Sequence, residues 1–377
     1  MTVVEIGPAD AVSSPREPAL QISGITVRPR QTPINRRTFL AGSVAATMGA
    51  AASWGRGRAA ALDNKALIAI TLDLEMSRHY PKRGMMEWDY EKGNLDADTK
   101  KYAVEAGRLV KERGGLIHYF CVGRVLEQPD VGWLKGLAAA GHRIGNHTYD
   151  HVNVKAKTPA EAQFRFARAP WLVRGKPVQQ IIRENIETTT IAMNGRLGIA
   201  PDGFRTPGGF SDGLDDRPDL QKMLLDLGFK WVSSRYPAHL RGKEKEEPTP
   251  DVYASIIAAQ ARARPSVYPS GLIEVPMNPI SDVTAFRTTF WKLDYFLKAI
   301  RMAVEQAIEN RATFDFLAHP SCLLVEDPRF ETIKLICDLV NKASNRAVLV
   351  GLDAFAERAR ARAGRELSRD PRANSAE

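Results

Sequence analysis

Four short clusters hold the residues best suited to chemistry, each beside an apolar run. The first is Thr71-Leu72-Asp73-Leu74-Glu75. In extended backbone, residues two apart face the same side, so Asp73 and Glu75 can enter one cavity. Carboxylates placed this way repel, and one pKa rises unless a cation lies between them. The second is His147-Thr148-Tyr149-Asp150-His151, with two imidazoles four residues apart. On a helical turn that spacing puts both rings on one face, where neutral nitrogens suit zinc and similar divalent ions. In the third, Arg205-Thr206-Pro207-Gly208, a guanidinium can hold a carboxylate in a fixed orientation. Its Pro–Gly turn leaves a backbone N–H for an oxyanion. The fourth is Phe314–His319, where an apolar run ends in a histidine that Pro320 presents at the rim. Each has a plainer alternative: a loop-capping Asp, a chance histidine pair, a surface turn, a core histidine.

These clusters need strand ends to hold them. Ala66–Leu72, Leu116–Val122, a very short run before Gly145-Asn146, Gly203–Arg205, Phe229–Ser233, Gly271–Val275, Phe314–Ala318 and Ala347–Val350 read as strands. Helical periodicity covers Thr99–Arg113, Val131–Ala140, Gln179–Leu197, Leu220–Leu227, Lys292–Asn310 and Glu331–Ala343, several closed by glycine. Strand-then-helix order predicts a parallel sheet with right-handed crossovers, and this many strands favours a barrel over an open sheet. The candidate residues then sit just past the strand ends, where barrel enzymes build their sites. No Gly-rich phosphate loop follows the first strand, which disfavours a dinucleotide fold. His79–Asn94 and Tyr236–Pro269 read as insertions, the second long enough to shape a substrate rim or an oligomer contact.

With 377 residues, 44% hydrophobic and 26% charged, the composition is that of a globular protein. The net charge of +9 is partly a leader effect: residues 1–61 hold seven arginines and three acids. No aromatic-plus-basic platform accompanies the remainder, so no nucleic-acid partner is expected. Asn35-Arg36-Arg37-Thr38-Phe39-Leu40 has the twin-arginine pattern, followed by an apolar, small-residue stretch. The expected layout is a signal region over 1–61, cleaved or disordered, a catalytic barrel over 62–356 and a charged tail over 357–377. Location is expected to be periplasmic or secreted, with no membrane span after processing. Cys121, Cys322 and Cys337 lack zinc-site spacing and read as buried thiols.

Taken in order, the clusters resemble the polysaccharide deacetylase family, the NodB-homology group or carbohydrate esterase family 4. Thr71–Asp73 resembles its first motif, His147–His151 its H-[ST]-x-x-H motif and Arg205–Gly208 its R-x-P motif. Gly228–Trp231 resembles its aromatic motif and Leu317–His319 its L-x-H motif, so the likeness runs from Lys65 to Gly351. The resemblance implies a distorted (β/α)7 barrel and one divalent metal ion, commonly zinc, with cobalt or nickel as other options. It implies hydrolysis of a non-peptide carbon–nitrogen bond, with deacetylation of an N-acetylated sugar or polysaccharide as the leading expectation. Glu75, His147 and His151 would hold the metal. Asp73 would be general base, Arg205 its orienting partner and His319 general acid. Gly208 would supply an oxyanion donor, while Trp231 and Tyr149 would line the pocket, with core packing the alternative for Trp231. Leu74 stands where the family has a second adjacent Asp, so a swap with Asp73 on the metal stays open. Gly208 replaces a customary aromatic and, with the long insertions, keeps a small or cyclic amide in play as substrate; Leu74 keeps in play a catalytically silent carbohydrate-binding relative that has lost its metal site.

Overall fold

Strands β1 (Ala66–Leu74), β2 (Ile117–Cys121), β3 (Arg143–Asn146), β4 (Gly203–Phe210) and β5 (Trp231–Arg235) build one side of a single sheet. It is completed by β6 (Ser266–Val267), β7 (Ile273–Glu274), β8 (Thr313–Ala318) and β9 (Ala347–Leu349). The computed structural model describes residues 64–86 and 92–369. The twin-arginine region expected over 1–61 lies outside the described residues. Among those described, no helix is long and apolar enough to cross a membrane.

β1 is the organising strand because all nine of its residues are buried, which suits a strand covered on both faces. It pairs in parallel with β2, β8 and β9. The strand order β7-β5-β4-β3-β2-β1-β8 gives seven parallel strands in a curled sheet, and β6 adds antiparallel to β7. This is the expected NodB-type barrel in a half-open form. Its seam is bridged where the Asn278 N–H donates to the Asp315 carbonyl at 3.3 Å.

Helices pack outside the sheet through apolar stripes. In Ala97–Glu112, Tyr102, Ala103, Ala106, Leu109 and Val110 are buried, and Asp96 caps the helix by accepting the Thr99 N–H at 2.7 Å. Val178–Leu197 ends at Gly198, whose φ of 69° is the left-handed stop that glycine takes without a Cβ clash. All three cysteines are buried free thiols.

Two expectations need correction. The boundary after Ala356 falls inside the helix Leu352–Arg369. Leu352, Phe355, Ala356 and Ala359 recur at helical spacing and pack on Leu67, Ala69 and Trp231, so the core stripe runs across that boundary and takes in Ala359 of the tail. Interleaved arginines hid that stripe; one of them, Arg358, donates to the Lys65 carbonyl at 2.6 Å. The Tyr236–Pro269 insertion likewise contains a packed helix, Pro250–Gln260, burying Val252, Tyr253, Ile256 and Ala259.

Candidate metal centre

β1 ends by aiming two carboxylates at the mouth of the curled sheet. The Glu75 N–H turns back to the Asp73 carbonyl at 3.0 Å, and Ser321 Oγ donates to the Glu75 carbonyl at 3.1 Å. Both acids line a cavity of about 250 Å³ with His147, His151, Gly208 and His319. Ligand atoms of Glu75, His147 and His151 all lie within 4.8 Å of one another.

The histidine pair reaches this arrangement differently from the helical turn expected. Residues 147–151 form an irregular loop in which Thr148 and His151 are left-handed, with φ of 57° and 58°. Such backbone costs roughly 1–3 kcal/mol per residue and needs surrounding support. The support is visible: Asn146 Oδ1 accepts the Thr148 N–H, and Thr148 Oγ1 accepts the Val152 N–H, both at 2.9 Å. Asn185 accepts the Asp150 N–H at 2.8 Å. The two rings then meet with centroids 5.1 Å apart at 70°.

His147 Nδ1 lies 2.9 Å from the Arg205 carbonyl, which can only accept, so the proton is on Nδ1 and Nε2 offers its lone pair to the cavity. Burial lowers the pKa of His147 and takes His151 down to about 4, leaving both imidazoles neutral. Burial alone would raise the pKa of Glu75, but His151 and Lys92 hold it well below the usual carboxylate range. Its Oε2 lies 2.5 Å from His151 Nε2 and 3.8 Å from His147 Nε2. Apart from these two imidazole nitrogens, no donor among the described residues reaches that buried Oε2. One ionised oxygen with two neutral imidazole nitrogens is a donor set that fits a divalent cation.

Asp73 faces the same cavity but is held from behind. Arg205 is fully buried on β4 and donates to Asp73 Oδ1 at 3.1 Å and to Thr71 Oγ1 at 2.7 Å. Its other arm bonds to Asp315 Oδ2, and the guanidinium carbon lies 4.2 Å from the centroid of the Phe120 ring. Burial pushes Asp315 up to about 6 against the pull of Arg205. One guanidinium shared between two acids offsets one of their two charges, and Thr71 Oγ1 also donates to Asp315 Oδ1 at 2.8 Å. On the far side, His319 Nδ1 sits 3.0 Å from Asp282 Oδ1, and its own N–H donates to Asp282 Oδ2 at 3.0 Å. The carboxylate accepts a hydrogen bond from Nδ1–H and so turns Nε2 inward, 3.5 Å from Glu75 Oε1. Gly208 has φ of 75° within an irregular stretch of β4 where the register with β5 shifts.

Thus Asp73, Glu75, His147, His151, Gly208 and His319 share one cavity, with Arg205 behind it. Two predicted residues do not. Trp231 opens β5 at the opposite end, with its ring edge-on to His118 and Phe120 and its Nε1 donating to Asp353 at 3.1 Å. It is core. Tyr149 turns away because its carbonyl accepts the Arg124 N–H and its hydroxyl donates to Glu127 at 2.6 Å. Asp282, Asp315 and Lys92 were missed. Asp315, a lone acid inside an apolar strand, was the one readable signal. Lys92, from the first insertion, donates to Glu75 Oε1 at 3.1 Å, and no sequence pattern marked it.

A family model described as polysaccharide deacetylase matches residues 90–222, which hold both histidines, Arg205 and Gly208. The chain is related to the polysaccharide deacetylases. The match to that family indicates an amidohydrolase of the deacetylase type. Two solved structures assigned to the same family, from Mycobacterium smegmatis and Pseudomonas aeruginosa PAO1, share its fold. The first is 16% identical with a TM-score of 0.52, covering 80% of this chain and 92% of its own. The second is 13% identical with a TM-score of 0.53, covering 78% and 91%. No curated protein matches the chain.

Proposed function

We propose that this polysaccharide deacetylase relative is a metal-dependent hydrolase that removes the acetyl group from an N-acetylated sugar. The observation that carries the reading is the convergence of Glu75 Oε2 with the His147 and His151 nitrogens in the cavity faced by Asp73 and His319. Glu75, His147 and His151 would hold one divalent cation, with zinc the first choice. When bound, such an ion lowers the pKa of a water and polarises the amide carbonyl.

The chain's own residues supply the rest. Asp73, oriented by Arg205, accepts the proton of the attacking water. The Gly208 N–H donates to the oxygen that gains negative charge. With its ring protonated on both nitrogens and held at Nδ1 by the Asp282 carboxylate, His319 gives its Nε2 proton to the leaving nitrogen and keeps the Nδ1 proton. The neighbouring groove of about 650 Å³ shares Lys92, His151 and Gly208 with the cavity and can hold the flanking part of a longer substrate. The twin-arginine pattern at Asn35–Leu40 supports export to the periplasm or beyond.

The test is acetate release from chitooligosaccharides and peptidoglycan fragments, run beside small cyclic amides, with metal content measured on the same protein. Deacetylation of the sugars with about one bound ion per chain is expected. Turnover confined to the cyclic amides would move the substrate class. A protein that neither holds nor responds to zinc, cobalt or nickel would sink the hydrolase reading.

A further inference from the structure

Arg287 faces the same cavity as Glu75, His147 and His319, yet none of the chemistry above uses it. It lies on a π-helical turn, Val283–Thr288, a form of backbone that recurs at functional sites. Its side chain is half-buried.

The other cations near the cavity are occupied. Lys92 is bonded to Glu75 and to the Met76 carbonyl. Arg205 is shared between Asp73 and Asp315. Among the described residues, no carboxylate lies within ion-pair distance of the Arg287 guanidinium. A planar guanidinium on the wall of a confined site recognises an oxyanion through two parallel hydrogen bonds, and its charge is less screened there than on open surface.

Two glycines, Gly208 and Gly209, form part of the wall beside Tyr236 and Met277. Gly208 carries no side chain, and at Gly209 a Cβ would sit 2.3 Å from Tyr236 Cβ. At about 250 Å³ the pit is smaller than the roughly 300–1,000 Å³ of drug-sized ligand sites. It suits one sugar unit with a charged substituent reaching Arg287.

We propose that Arg287 binds an oxyanion carried by the substrate, so that the preferred N-acetylated sugar bears a carboxylate or phosphate. This rests on the deacetylase reading for the nature of the substrate, though the anion contact is measurable without turnover.

The probes are N-acetylmuramic acid, N-acetylglucosamine 6-phosphate and uncharged N-acetylglucosamine. Binding is measured by calorimetry in an Asp73→Asn background that suppresses turnover, with and without Arg287→Gln. At least one charged sugar should bind at least tenfold more tightly than the neutral one, and Arg287→Gln should close that gap. Which charged sugar leads identifies the oxyanion. Equal or undetectable binding of all three, or a gap that survives Arg287→Gln, overturns the proposal. The comparison among the three sugars stands even if the double variant fails to fold. Tight binding of a charged sugar without acetate release by the unmodified enzyme would keep the Arg287 contact and defeat the deacetylase reading.

Discussion

Asp73 and Glu75 are two residues apart, both carboxylates and both buried, yet their surroundings assign them different work. Asp73 is bonded to Arg205 from behind, whereas Glu75 keeps an oxygen within reach of both histidines. Asp73→Asn should therefore retain metal stoichiometry while acetate release falls about 10²–10⁴-fold, the usual loss for a general base. Glu75→Gln should lose the metal and the activity together. Metal analysis of the two variants decides, and the reverse pattern would establish the swapped assignment. In the proposed mechanism Asp282 acts through His319 as a positioning residue. Asp282→Asn should lower kcat by roughly 10–100-fold, as loss of an orienting partner does, with KM little changed. A KM effect alone would reduce Asp282 to a structural role. Residue type and strand-end placement made the direct participants legible. The residues behind them were not, because Asp282 and His319 meet only in three dimensions, 37 positions apart. Trp231 was misplaced because a motif match gives an aromatic side chain no direction.

At the scale of elements, strand and helix order was readable because buried parallel strands are apolar runs and helices end at glycines. Dense charge obscured the packed stripe of the C-terminal helix, because arginines crowd the same stretch of sequence as Leu352, Phe355, Ala356 and Ala359. The His147–His151 segment was misread for another reason. Sequence spacing suits a helical turn, but side-chain bonds from Asn146, Thr148 and Asn185 support a left-handed loop instead. Phe355 provides the test of this helix. It is buried beside Leu67, Ala69 and Trp231 beneath β1 and β5, so Phe355→Ala should destabilise the protein by about 3–5 kcal/mol in denaturant titration. A loss below about 1 kcal/mol would mean that the helix is dispensable for the core.

Across the whole molecule, the candidate metal centre is also a staple. Glu75 follows β1, while His147 and His151 follow β3, and β2 lies between those strands. A cation held by all three side chains joins loops that the sheet's hydrogen bonds do not join directly. Without it, Glu75 still has Lys92 as a counter-charge and both imidazoles are neutral, so the fold should survive chelation. What disappears is the binding term, which at a free metal concentration of 100 times Kd is about 2.7 kcal/mol. For a chain of this size that corresponds to a fall in Tm on the order of 5 °C. EDTA followed by calorimetric scanning should show that fall, and added zinc should reverse it. His147→Ala should melt at the chelated temperature and respond to neither treatment. If the metal-loaded enzyme melted at the same temperature before and after chelation, these three side chains would not be gripping an ion in the folded state.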